Sequence, residues 1–305
     1  MRYIFGPVNS RRFGLSLGID LSPEQKACNF DCIYCELRAA KPLDHIPNPP
    51  KVEDIIKEVK EALFKYPDID VITITSNGEP TLYKDLDRLV DELNKIKKDK
   101  KLLILSNGSL IYKKDIQKTL SKIDIVKLSL DCATKRCFKK IDRPLKGIDL
   151  EKIIEGMIEF RKIYKGTLII EILVVKGIND KEEEFIKLNE VLQKIKPDRV
   201  DIGTIDRPPA YKVEPVTYEK LYTLSKYLKN LPVNIVSRKN VKALNEDLSE
   251  EDIINTLKHR PFTLEDIKTV FSKKSYEIFK KLVDKKVIKT KKVSNVIFYY
   301  VDIDK

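Results

Sequence analysis

Residues 28–35 read CNFDCIYC, which sets Cys28, Cys32 and Cys35 at a C-x3-C-x2-C spacing. The 305-residue chain holds only five cysteines and two histidines, so this is a concentrated ligand set. Soft thiolates gathered on one short loop favour iron–sulfur clusters or zinc. A cubane cluster ordinarily has a Cys on each of its irons. Three thiolates without an evident fourth leave one iron open to a substrate or cofactor, and that is the reason to expect an enzyme. The rival is a structural Cys3His zinc site completed by His45. Zinc ligands usually come as two close pairs, however, and no second pair faces this triad. A disulfide framework is not expected. The start, MRYIFGPVNSRR, has no apolar signal core, and a chain of this length buries its own core without staples. Reduced thiols and a cytoplasmic location follow. Cys132 and Cys137, spaced C-x4-C, read as two ordinary small buried residues, with an auxiliary cluster or a redox pair as alternatives.

Outward from the loop, β-branched runs alternate with amphipathic helical runs. SLGIDLS (16–22) reads as a strand leading into the Cys loop, and KVEDIIKEVKEALFKY (51–66) has apolar residues at helical spacing. Further strands are expected at 71–76, 101–107, 125–131, 167–175 and 199–205, and further helices at 85–96, 114–120, 149–164, 182–195 and 217–228. A series of βα units makes a mostly parallel sheet with right-handed crossovers. Six units are too few for a closed eightfold barrel, so the expected class is α/β, a partial (β/α)6 barrel over residues 1–237. No apolar run approaches the length needed to span a membrane.

In barrels and open α/β sheets, ligands bind at the carboxyl ends of the strands, and polar residues gather there. The second strand runs into SNGEPTL, with Asn77, Gly78, Glu79 and Pro80; Gly78 permits a close backbone approach. Asn107 follows the third strand, and Ser129 and Asp131 end the fourth. Glu171 sits inside the apolar run TLIIEILVV, where a carboxylate is either paired or functional. Arg11 and Arg12 precede the first strand in GPVNSRRFG, and Arg207 lies in TIDRPPAY at the end of the last.

C-x3-C-x2-C with an aromatic, Tyr34, before the last Cys resembles the signature of radical S-adenosylmethionine (SAM) enzymes. The resemblance implies that Cys28, Cys32 and Cys35 hold a 4Fe-4S cluster whose unique iron binds the amino and carboxylate groups of SAM. It also implies that electron transfer from the cluster breaks a C–S bond of SAM and yields a 5′-deoxyadenosyl radical. SNGEPTL resembles the family's GGEP motif, with Asn77 where the first Gly often stands. By that resemblance Glu79 accepts from the SAM ammonium, Pro80 rigidifies the turn, and Asn107, Ser129 and Asp131 are candidates for ribose and carboxylate contacts. GPV-x-SRR-x-G and Arg207 resemble small radical SAM proteins grouped with the wyosine-forming tRNA enzymes, which modify a guanine-derived base beside an anticodon. Arg11, Arg12 and Arg207 are thereby candidate substrate contacts. The chain departs from the wyosine enzymes in having no Cys before Cys28.

Formal net charge is +12, which favours acidic partners, nucleic acid first; a Lys- and Glu-rich surface with ion-pair networks is the plainer explanation. Composition shifts after residue 237. Residues 238–248 read as a linker, and 249–305 as three short helices and a β-hairpin resembling a winged helix. Ser249 and Asp252 offer a helix start of the capping-box type. Residues 258–292 carry twelve Lys or Arg against four acids, which suits a phosphate backbone. The leading expectation is a radical SAM enzyme modifying a base of RNA, tRNA-like, with a small flavodoxin or ferredoxin as electron donor. The alternatives are radical modification of a protein or peptide, and a metal-dependent nucleic-acid-binding regulator.

Overall fold

The structure is a computed structural model and describes residues 1–10, 12–235, 247–259, 261–293 and 296–302. Its main body is an eight-stranded sheet in chain order: β1 (Ile4–Ser10), β2 (Gly14–Asp20), β3 (Val71–Thr75), β4 (Lys101–Ser106), β5 (Ile125–Ser129), β6 (Thr167–Val174), β7 (Arg199–Thr204) and β8 (Val233–Ile235). From β2 to β8 every neighbour is parallel; β1 is antiparallel to β2. The helices between them are α1 (Val52–Lys65), α2 (Leu86–Ile96), α3 (Lys114–Leu120), α4 (Lys135–Ile141), α5 (Leu150–Ile163), α6 (Glu182–Ile195) and α7 (Tyr218–Ser225).

The six βα units read from the sequence are β2 to β7 with their helices, a partial (β/α)6 barrel. Three elements add to them. β1 contains Gly6 and Pro7; an edge strand tolerates them, and the pairing is irregular between Phe5 and Val8. β8 has three residues, and α4 has only two turns, started by Thr134, whose hydroxyl accepts from the Cys137 N–H.

The two-residue period of the strands decides which side chains face which layer. Leu17, Ile19, Ile72, Ile74, Leu102, Ile104, Val126, Leu128, Ile170, Ile172, Val200 and Ile202 are all fully buried. They share one parity and meet the apolar faces of the helices; in α1 these are Val52, Ile55, Ile56, Val59 and Ala62. Full burial of each Leu, Ile or Val contributes roughly 1.5–3 kcal/mol. The opposite parity faces the barrel interior and is far more polar: Ser16, Asp20, Thr73, Thr75, Lys127, Ser129 and Glu171.

The C-terminal residues form α8 (Glu250–His259), β9 (Phe262–Thr263), α9 (Leu264–Val270), α10 (Lys273–Asp284), β10 (Lys289–Val293) and β11 (Val296–Tyr300), with an antiparallel sheet ordered β10-β11-β9. Ser249 and Asp252 cap α8 reciprocally: the Asp252 N–H donates to Ser249 Oγ, and the Ser249 N–H donates to Asp252 Oδ2, each at 3.2 Å. This unit is docked on the barrel. Asn255 Nδ2 donates to the Ile4 carbonyl at 2.8 Å, and Lys65 Nζ lies 2.7 Å from Asp252. The expected linker falls mainly on residues 236–246, outside the described residues. Among the described residues no helix is long and apolar enough to cross a membrane.

Candidate active site

The Cys loop is pinned from three sides. Ala27 bridges Gly78 in parallel: the Ala27 N–H donates to the Asn77 carbonyl at 2.8 Å, and the Glu79 N–H donates to the Ala27 carbonyl at 2.9 Å. The end of α4 takes the middle of the loop, where the Ile33 N–H donates to the Ile141 carbonyl at 2.9 Å. The segment after β7 takes its far end, where the Ala210 N–H donates to the Cys35 carbonyl at 2.9 Å. Cys28, Cys32 and Cys35 all line one cavity of about 480 Å³ at the carboxyl ends of the strands.

The donor set fits a cluster better than a single zinc ion. A tetrahedral zinc site with Zn–S of about 2.3 Å holds its sulfurs roughly 3.8 Å apart. Among the described residues the one triad of candidate ligands whose donor atoms all lie within 4.8 Å of one another is Cys132, Cys137 and Glu184, not the Cys loop. His45 is exposed, with Nδ1 2.8 Å from Asp44. Charge and hydrogen bonding favour metal-bound thiolates: the Phe30 N–H donates to Cys28 Sγ at 3.4 Å, and the Lys26 ammonium is beside Cys35 and Cys28. Burial, with Glu79 close by, pushes the free Cys28 thiol up to about 12, so a cationic centre is needed to hold it as thiolate.

Glu79 is buried at the head of a 3₁₀ turn, Pro80–Leu82, with Pro80 in the first position that Pro favours. Its Oε1 accepts from Thr81 N, Thr81 Oγ1 and Ser106 Oγ at 3.0, 2.6 and 2.7 Å. Among the described residues its Oε2 accepts only the Asn107 N–H, at 2.6 Å, and so retains capacity toward the cavity it lines. Burial raises its pKa against those four donors; a cationic ligand would offset that burial. Asn107 uses its side chain locally, donating to Asn29 Oδ1 at 2.8 Å beside the Cys loop.

Asp131 lies outside the larger cavity. Its carboxylate accepts from Tyr34 Oη at 2.5 Å and from the Leu173 N–H at 2.7 Å, so it props the aromatic of the Cys loop. A second buried acid, Asp142, sits 3.4 Å from Cys32 Sγ. Burial pushes Asp131 up to about 7, and burial together with Asp131 raises Asp142 as well. Nothing in the sequence around Asp142 marks it out, since it reads as an ordinary residue at a helix end.

The cavity continues into the barrel. Ser129 and Glu171 are level with each other on β5 and β6, and Lys127 lies one strand repeat, roughly 6.6 Å, deeper. Glu171 is paired: its Oε1 is 2.5 Å from Lys127 Nζ and 2.7 Å from Arg12 Nη1. Arg12 also reaches Asp201 at 3.0 Å. It comes from the β1–β2 turn and thus closes the barrel floor from below. Arg207 grips Glu36 at 2.7 and 2.9 Å at the mouth. Arg11 lies outside the described residues. The reading of Cys132 and Cys137 as two independent buried residues is corrected: they are bonded to each other as a disulfide, joining the end of β5 to the first turn of α4. A five-residue separation bridging a strand end and a helix start has no sequence signature. Lys127 also went unread, because a single Lys in IVKLSLD looks like the solvent side of a strand.

A sequence profile of the radical SAM superfamily matches residues 25–188. A UPF0026 protein of Helicobacter pylori (strain J99) is 39% identical over 298 residues, 97% of this chain and 96% of that protein. The crystal structure of a radical SAM methyltransferase from Sphaerobacter thermophilus matches with a TM-score of 0.58 at 13% identity, covering 74% of this chain and 67% of the other. Streptococcus suis SuiB bound to S-adenosylmethionine matches with a TM-score of 0.55 at 21% identity over 70% of this chain, which spans about half, 49%, of SuiB. The chain belongs to the radical SAM superfamily and, within it, to the UPF0026 proteins. It is an enzyme of that class, and its cofactors are a 4Fe-4S cluster and SAM.

Proposed function

We propose that this enzyme modifies a base of RNA, with the cluster on Cys28, Cys32 and Cys35 and SAM in the cavity above them. When bound, the reduced cluster supplies the electron that cleaves SAM to a 5′-deoxyadenosyl radical. The chain's own residues bind and orient. Asn77, Gly78 and Glu79 offer backbone groups and a carboxylate to the SAM amino-acid end. Asn107 and Ser129 line the same space. Tyr34, braced by Asp131, shapes the loop between the sulfurs. The charged floor of Arg12, Lys127 and Glu171 excludes water from below. A small acidic reductant of the flavodoxin or ferredoxin kind delivers the electron.

The observation that carries the RNA reading is the basic face of residues 249–305, which we read as a winged-helix-like unit. Lys273, Lys274, Lys280, Lys281, Lys285 and Lys286 are exposed on α10 and the turn after it. Of these, only Lys280 has an ion-pair partner among the described residues, Glu277. The test is anaerobic crosslinking to cellular RNA, with Lys280, Lys281, Lys285 and Lys286 neutralised together. RNA affinity should fall and its salt dependence flatten, since each lost phosphate contact removes roughly one released counterion. Neutralising four exposed barrel lysines (Lys57, Lys60, Lys118 and Lys187) should leave both unchanged. A stable polypeptide partner with no copurifying RNA would instead make the substrate a protein or peptide.

A further inference from the structure

The Glu36–Arg207 pair stands between two cavities. The inner one, of about 480 Å³, holds the Cys loop and includes both residues. The outer one, of about 400 Å³, lies between the segment following Cys35 and the C-terminal unit, and shares Glu36 and Leu37 with the first. Its rim carries Arg38, Lys258 and Lys291 against Glu36 and Asp302, and Tyr300 offers an aromatic surface within it. Cations at the rim around an aromatic and proline-lined floor match a nucleotide, which has an anionic phosphate and a flat base.

Arg207 directs Nη1 at both carboxylate oxygens of Glu36, at 2.7 and 2.9 Å. A guanidinium nitrogen shared between two oxygens in this way suits a phosphate as well as a carboxylate. The Glu36 side chain is 31% exposed, so its pairing is of the partly solvated, weakly stabilising kind. Glu36 is therefore displaceable at small cost. Arg207 is 19% exposed and fixed at the cavity mouth.

We propose that a backbone phosphate of the RNA takes the place of the Glu36 carboxylate on Arg207, and that Glu36 occupies this phosphate site in the free protein. The inference rests on the RNA reading above and adds where the strand crosses from the outer groove to the reaction cavity. The exchange moves a charged side chain that belongs to both cavities, so arrival of the correct chain opens the inner space. No covalent step is involved.

The test is a double-mutant cycle on the reconstituted full chain with a single-stranded seven-nucleotide RNA of mixed sequence as probe. Glu36→Gln should raise affinity about threefold, because a competitor worth a fraction of a kcal/mol is removed. Arg207→Gln should lower affinity about tenfold, the loss of one charge-assisted contact. In the Arg207→Gln background, Glu36→Gln should change nothing, since the two effects act through one site. Iron content is measured in every variant; if Glu36→Gln loses iron, Glu36→Ala takes its place. Unchanged or weaker binding by the Glu36 variant, or additive effects, overturns the exchange. If the α10 lysine variant still loses RNA in that case, the RNA reading stands without it. A wild-type protein that holds no RNA ends both.

Discussion

Gly78 lies so close to Ala27 that a Cβ on Gly78 would fall 1.8 Å from the Ala27 carbonyl oxygen, and its φ of +149° is one that side-chain-bearing residues rarely adopt. The glycine is thus the point where the strand-end loop and the Cys loop are laid against each other. Gly78→Ala should push the Cys loop out of register while leaving the helical layer intact. Relieving such an overlap costs on the order of 1–3 kcal/mol. The expected result is native-like circular dichroism with reduced iron content and SAM affinity weakened by about tenfold or more. Full iron loading and unchanged SAM binding would show that the loops tolerate separation.

The sulfurs divide into two groups. Replacing any of Cys28, Cys32 or Cys35 by Ala should abolish iron binding and SAM cleavage together. Cys132→Ser should keep the iron, because its sulfur is bonded to Cys137. Thiol counting in denaturant after anaerobic removal of iron should give three free thiols in the unreduced protein and five after reduction. Iron loss in Cys132→Ser with normal folding would place a fourth ligand there.

Glu79→Gln isolates the charge of the carboxylate. Three donors converge on Oε1, so the amide oxygen must take that side and the NH2 must face the Asn107 N–H and the cavity. An acceptor becomes a donor where a cationic amine is expected. Charge-assisted hydrogen bonds contribute about 1.5–3 kcal/mol, so SAM affinity should fall roughly tenfold or more with the iron retained. A titration showing equal affinity would remove Glu79 from the SAM site.

Glu171 gives a pH signature. Burial alone would raise its pKa, but Lys127 and Arg12 outweigh that and hold it at about 2. The folded value lies below the unfolded one, so the stabilisation is complete above the ordinary carboxylate range. It is lost as pH falls from about 4.5 toward 2. A fall from 4.5 to about 2 corresponds to roughly 3 kcal/mol. Urea unfolding at pH 6 should therefore show Glu171→Gln well below wild type, and at pH 3 the gap should have narrowed by more than half. A gap independent of pH would mean that Glu171 acts by shape alone.

How much of this was readable in the sequence depended on whether the signal was local. The Cys loop and SNGEPTL declare their chemistry within eight residues, and runs such as VITIT and KLLILS declare strands by β-branched and Leu-rich composition. Ser249 and Asp252 declared a helix start because the two partners are three residues apart. The floor of the barrel was not readable. Arg12 meets Glu171 across 159 residues, and only the register of β5, β6 and β7 brings Lys127, Glu171 and Asp201 to one interior face. Asp131 was read as a candidate SAM contact beyond the strand, whereas its pairing with Tyr34 depends on the path of a loop about a hundred residues earlier. Three candidate substrate arginines were named alike; the structure pairs Arg12 with Glu171 and Asp201 on the floor and Arg207 with Glu36 at the mouth, and Arg11 lies outside the described residues.

The reach of Arg12 to Glu171 and Asp201 also sets a clock. Chains emerge from the ribosome at roughly 5–20 residues per second, so Arg12 waits on the order of ten seconds or longer for its partners to be made. During that interval the Cys loop exists, but the space behind it has no bottom. The hairpin bearing Arg12 is made before its partners on β6 and β7 and cannot engage them until they emerge. Premature insertion of an oxygen-sensitive cofactor would meet water from beneath. In this fold Arg12 can seal the barrel floor only after β6 and β7 have been made.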